Sequence, residues 1–206
     1  MKNLIIIHGT MGIGKTTICK ALYQALDRSV WLDGDWCWMM YPFVVNDENK
    51  AMVERNIQFL LRGFLENTNF DHVLFNWVIH TEDIMQMVLR GLEGCAYRLH
   101  RIALVCDAET LEARLKQDGR TNIQESLERL GMYRKMPSVQ LDVTGKSVAQ
   151  VVEDVLEIIR TARVSSSEEM PLTGGNVNEV VRIGDTVHRS TPGSAHIHGL
   201  DRKSVG

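Results

Sequence analysis

The stretch "GTMGIGKT" at residues 9–16 constrains this chain more than any other. It fits the pattern G-x-x-x-x-G-K-[ST]. Before it runs a continuous apolar segment, "NLIIIH" (3–8). After it comes "KTTICKALYQALD" (15–27), in which Ile18, Ala21, Leu22, Ala25 and Leu26 share one helical face. A strand that feeds a glycine-rich loop and then a helix points backbone N–H groups inward, toward the oxygens of a phosphate. The helix N-terminus adds its partial positive charge. In such a loop Lys15 reaches the β- and γ-phosphates and the Thr16 hydroxyl ligates Mg²⁺. The residues expected to hold a nucleoside triphosphate are therefore Gly9, Thr10, Met11, Gly12, Ile13, Gly14, Lys15, Thr16 and Thr17.

Strand and helix patterns alternate through the rest of the chain. Strands are predicted at 3–8, 29–33, 72–79, 101–106 and 139–144. Helices are predicted at 15–27, 46–66, 81–93, 107–117, near 123–135 and at 147–163. Asn46 or Asp47 opens the long helix, and the segment from Thr81 has capping-box spacing. This order implies an α/β fold with a five-stranded parallel sheet flanked by helices, and with the glycine-rich loop it fits the three-layer P-loop NTPase fold. Its crossovers are right-handed.

The character changes after residue 163, which closes the expected domain 1–163. "VSSSEEMPLTGG" (164–175) reads as a linker. In 176–206, "NEVVRIGDTVHRST" alternates around a "GD" turn, as a hairpin does. The last fourteen residues lack periodicity and are expected to be disordered, with the "HIH" at 196–198 as solvated tail. This end segment is not expected to be an independent domain.

Of the 206 residues, 44% are hydrophobic and 24% charged, with a net charge of −3. That is a globular composition without the basic footprint of a nucleic-acid binder. No apolar run approaches the roughly 18 residues of a membrane span. The N-terminal run is too short for a signal peptide. Cys19, Cys37, Cys95 and Cys106 form no C-x-x-C pair and read as reduced thiols of a cytoplasmic protein. A small-molecule substrate is expected, with no nucleic acid and no membrane, on a monomer or homodimer.

The third strand, "HVLFNWVIH", carries Asn76 and His80 but no acid until Glu82, and the chain has no N-K-x-D. The carboxylates instead appear in "WLDGDWCWMM" (31–40), where Asp33 and Asp35 end the second strand at the carboxyl edge of the sheet. There the chain resembles the small-molecule P-loop kinases: shikimate, gluconate and adenylylsulfate kinases and chloramphenicol phosphotransferase. It is also similar to nucleotide kinases described as AAA family ATPases. The resemblance covers residues 1–163. It implies Mg²⁺-dependent transfer of the ATP γ-phosphoryl group to a small hydroxyl-bearing or nucleotide acceptor. It gives Asp33 to the metal, beside Thr16, and Asp35 to the acceptor as binding group or general base. "LEARLKQDGRT" (111–121) resembles the R-x-x-x-D-x-R lid of shikimate kinases, without its R-P-L-L continuation. The resemblance makes Arg114 the adenine-side arginine. It makes Arg120 catalytic, together with Lys15 and Asp35.

Other readings stay open. Trp36, Trp38 and Phe43 either stack on an acceptor or pack in the core. Arg55 and Arg62 either bind an anionic acceptor or form a solvated face. Trp77 and His80 end the third strand near the site. A second functional reading is a regulatory P-loop ATPase that acts with a protein partner and has no small acceptor. Residues 171–189 resemble the first hairpin of the aminoglycoside-phosphotransferase family. No lysine strand or catalytic aspartate loop follows, so no second working kinase is expected there.

Overall fold

The computed structural model describes residues 1–165 and the strands Met170–Pro171, Val180–Ile183 and Thr186–Arg189. The chain divides into two compact units, Met1–Leu156 and Glu157–Gly206. The first unit runs β1 (Lys2–His8), α1 (Lys15–Ala25), β2 (Ser29–Asp33), a 3₁₀ turn (Gly34–Trp38), α2 (Asp47–Glu66) and β3 (His72–Trp77). It continues with α3 (Glu82–Arg90), β4 (Tyr97–Val105), α4 (Ala108–Gln117), α5 (Ile123–Tyr133) and β5 (Val139–Asp142), and α6 (Val148–Ser165) begins in it. The five strands are parallel in the order β2-β3-β1-β4-β5. This is the P-loop NTPase sheet expected from the sequence.

β1 is central because it is apolar on both faces, and Leu4 to Ile7 are fully buried. α2 buries Val53, Ile57, Leu61 and Leu65, one residue per turn, against Val73 and Phe75 of β3 and Met85 and Val88 of α3. β4 starts at Tyr97, four residues before the apolar run "RIALVC", and its first residues pair with Lys2 to Ile5. Those residues are mostly half-buried, so no continuous apolar run marks them. β3 and β5 end earlier than their apolar patterns suggest, because the chain turns away at the sheet edge. Thr81 caps α3 by accepting from the Ile84 N–H at 3.4 Å. The reciprocal half of a capping box is missing, since Ile84 has no acceptor side chain.

The register aligns the carboxyl ends of the central strands. Asp33 pairs with Asn76, and His8 with Trp77. β1 has β3 on one side and β4 on the other, so the loop after His8 leaves at the switch point of the sheet.

Arg62 is structural. Its guanidinium donates to the Gly91 carbonyl (3.1 and 2.8 Å) and the Glu93 carbonyl (2.8 Å), which fastens α2 to the end of α3. With Glu66 at 3.4 Å as well, the Arg62 guanidinium is already engaged by its own fold.

In the second unit β6 (Met170–Pro171), β7 (Val180–Ile183) and β8 (Thr186–Arg189) form an antiparallel sheet. β7 and β8 pair where the sequence places a hairpin. The "GD" turn, most of the linker and the "HIH" tail lie outside the described residues. Among the described residues no helix is long and apolar enough to cross a membrane.

Candidate active site

The loop after β1 takes its shape from glycines in the left-handed region. Gly12 has φ 79° and Gly14 φ 103°, values that side-chain-bearing residues rarely adopt. A Cβ on Gly12 would also stand 2.5 Å from Leu115 Cδ2, so α4 closes down on the loop. Gly14 is the N-cap of α1. No side chain caps that terminus, and no acid lies in its first turn. Its leading N–H groups are thus left to an outside anion. Thr10 is buried and donates its hydroxyl to the Ser126 carbonyl of α5 at 2.9 Å, which pins the loop from the other side.

Lys15 is only 8% exposed, and its ammonium donates to the Thr10 carbonyl at 3.0 Å. Burial lowers its pKa to about 8, against the opposing pull of Asp35 and Asp33. It is held in place and stripped of water, which suits a phosphate.

Asp33 ends β2 and is 3% exposed. One carboxylate oxygen accepts from the Thr16 hydroxyl at 2.8 Å, and the other accepts from the Asp35 N–H at 3.0 Å. The second bond caps the 3₁₀ turn, so the same carboxylate ties the phosphate loop to the "DGD" segment. Gly34 is required there, because its Cβ would fall 2.4 Å from Trp77 Cγ. Trp77 also faces the Asp35 side chain and favours its charged form. Asp35 remains solvent-accessible. Partial burial, and next the charge of Asp33, hold its pKa above the ordinary aspartate value, while Lys15, Trp77 and Arg120 pull it down.

The site has an oxygen donor set, a hydroxyl bonded to a carboxylate, as suits Mg²⁺. Among the described residues no group of three or more His, Cys, Asp or Glu converges. A cation at Thr16 and Asp33 would therefore complete its shell with phosphate and water. Asn76, level with Asp33 in the sheet, accepts from the Trp31 indole N–H at 2.6 Å, but its own buried amide nitrogen has no partner. That open donor is a further polar feature of this edge.

The two lid arginines part company. α4 closes with Asp118 at its C-cap and Gly119 at φ 66°. The Gly119 N–H donates to the Lys116 carbonyl (3.0 Å) and the Arg120 N–H to the Leu115 carbonyl (2.9 Å), a Schellman closure. The "DGR" sequence is thus a helix stop that delivers Arg120 into a pocket with Lys15, Thr16, Asp35 and Arg129. Arg114 faces another way. It donates to the Ile13 carbonyl (3.0 Å) and the Val143 carbonyl (3.4 Å), linking the phosphate loop to the exit of β5. It lines a cavity of about 290 Å³ with Ile13, Thr17, Lys146, Val148 and Val151.

Sequence reasoning missed Arg129 and Lys146. Arg129 forms an ion pair with Glu125 on α5 and reaches the phosphate pocket only because α5 packs beside Thr10. Lys146 follows the last strand, and its position at a carboxyl edge was the available signal. The aromatics divide. Trp38 packs against the core and lies 5.9 Å from Phe43, while Trp36 is half-exposed and 4.9 Å from Trp31. Arg55 and His80 line neither the phosphate pocket nor the Arg114 cavity.

The family model described as "AAA domain" matches residues 5–131. The cytidylate kinase of Buchnera aphidicola is 28% identical over 88 residues, which is 39% of this chain and 38% of that protein. The chain therefore matches well under half the length of that curated relative. The tunicamycin resistance protein of Deinococcus radiodurans has a similar structure, with TM-score 0.60 and 18% identity over 77% of this chain and 96% of that one. A gluconokinase from Sinorhizobium meliloti gives TM-score 0.60 and 18% identity, over 82% of this chain and 98% of that one. At these identities the structural likeness is one of fold.

Proposed function

This chain belongs to the AAA-domain family, and on that footing we propose that it is an ATP- and Mg²⁺-dependent phosphotransferase acting on a small hydroxyl-bearing acceptor. The observation that carries the reading is one pocket holding Lys15, Thr16, Asp35 and Arg120 around the mouth of the phosphate loop. The likeness in fold to a gluconokinase and the partial match to a cytidylate kinase support it.

The residues divide the work. Gly12, Gly14 and the first amides of α1 bind phosphate oxygens, and Lys15 adds a charge that burial has stripped of water. The cavity beside Arg114 receives the base and sugar. Thr16 and Asp33 are the residues that would hold Mg²⁺, which would supply charge neutralisation at the phosphates. Asp35 accepts the proton of the acceptor hydroxyl as the acceptor oxygen bonds to the γ-phosphorus and the bond to ADP breaks. Its raised pKa makes it a stronger base than an ordinary aspartate. Arg120, with Arg129 beside it, stabilises the charge on the phosphoryl group in flight.

The test is an ADP-release screen of the full chain with Mg²⁺ and ATP, over hydroxylated metabolites, nucleosides and antibiotics. An acceptor should stimulate release in the parent and not in Lys15→Ala or Asp35→Asn. The reading is wrong if ATP binds but no acceptor stimulates release and Asp35→Asn changes nothing.

A further inference from the structure

A group of exposed apolar side chains lies beside the 3₁₀ turn that carries Asp35. Met39, Tyr41 and Phe43 are 83%, 100% and 65% exposed, and Phe59 on α2 is 78% exposed. The core does not need Phe59, because α2 already buries Val53, Ile57, Leu61 and Leu65. Met52, Asn56 and Phe59 form a second stripe on the same helix, four and seven residues apart. This stripe, with Trp36, Cys37 and Met39, encloses an open groove of about 420 Å³. That is the size of a site for a drug-sized molecule.

Three features say what fits there. The groove starts on the 3₁₀ turn that also carries Asp35, so one turn serves both the phosphate pocket and the groove. No charged side chain lines it. A phosphate or carboxylate lying in it would lose water and meet no cation in the lining itself, since Arg55, on the same α2 face and exposed, is not among the lining residues. The arginine that α2 turns toward α3, Arg62, is occupied by the Gly91 and Glu93 carbonyls. The Asn56 amide and the Trp36 indole N–H give the wall neutral polar handles between its aromatic and thioether surfaces.

We propose that the acceptor is an uncharged, largely apolar or aromatic alcohol. Its hydroxyl meets Asp35 and its body lies in the groove between Trp36 and Phe59. Phe59 and Met39 then set specificity against nucleotide and sugar-acid acceptors. This deepens the phosphotransferase reading and rests on it.

The experiment uses 2-(2-naphthyl)ethanol as the neutral probe, and cytidine 5′-monophosphate and gluconate as charged ones. Binding to the full chain is measured by equilibrium dialysis, and transfer by ADP release with Mg²⁺ and ATP. Naphthylethanol should bind and stimulate release. Phe59→Asp should weaken its binding and raise its KM about tenfold, the scale of losing one aromatic contact, with kcat within about twofold. Phe59→Trp should restore both, and Met39→Glu repeats the test should Phe59→Asp fold poorly. The proposal is overturned if a charged probe stimulates release while naphthylethanol neither binds nor reacts. It is equally overturned if Phe59→Asp leaves binding unchanged but turns a dimer into a monomer in sedimentation. Phe59-dependent binding without stimulated release by any acceptor removes the phosphotransfer reading, and the acceptor role with it. A charged acceptor that turns over removes this inference alone.

Discussion

The phosphate loop and the proposed acceptor groove are built by opposite means. On the phosphate side every group is tied down. Thr10 bonds to α5, Lys15 to Thr10, Thr16 to Asp33, and Arg114 to two backbone carbonyls. On the acceptor side the walls are exposed side chains, Trp36, Met39 and Phe59, with few hydrogen bonds among them. The difference teaches where each kind of specificity comes from. Fixed amides and charges suit a triphosphate that is always the same. An uncharged wall selects by shape and desolvation, and it can be rebuilt by single substitutions without touching the chemistry.

Substitutions at the junction of the two sides should have the largest effects. Arg120→Ala should lower kcat by about 10³, the scale of removing an arginine that stabilises phosphoryl transfer, measured by single-turnover transfer. Little loss would mean that Arg129 or Lys15 carries that charge. Asp35→Asn should cost about 10²-fold or more in transfer while nucleotide affinity, read by calorimetry, stays within about twofold. A fall in nucleotide affinity instead would place Asp35 on the phosphate side.

Gly34→Ala tests the contact that joins the sides. Its new methyl would meet the root of the Trp77 side chain, and stability should fall by about 1–3 kcal/mol, read as a lower urea midpoint.

The pH dependence should be milder, with Lys15 acting on nucleotide affinity and Asp35 on turnover. Lys15 is lowered from 10.5 to about 8, so triphosphate affinity should fall about tenfold between pH 7 and 9, with proton uptake on binding in that range. The sign for folding is opposite. A folded-state pKa below the unfolded value makes this group unfavourable below about pH 8, and its contribution to stability rises between about 8 and 10.5. For Asp35 the raised pKa puts the acid limb of kcat above the ordinary aspartate range.

Much of this could be read without a structure. "GTMGIGKT" between an apolar run and an amphipathic helix determined the phosphate loop, since positive φ, helix starts and buried strands follow from local residue types. The same logic placed Asp33 and Asp35 at a strand end. Tertiary structure decided the rest. Arg114 and Arg120 lie six residues apart, yet they serve different cavities, because the Schellman closure at Gly119 turns the chain between them. Arg129 joins Arg120 only because α5 packs against Thr10, more than a hundred residues away in sequence. Trp36 and Trp38 stand on one short turn, but one faces outward and the other the core, according to how α2 packs on that turn. Local sequence sets backbone conformation. Which side chains then meet depends on contacts between distant segments, which no local pattern encodes.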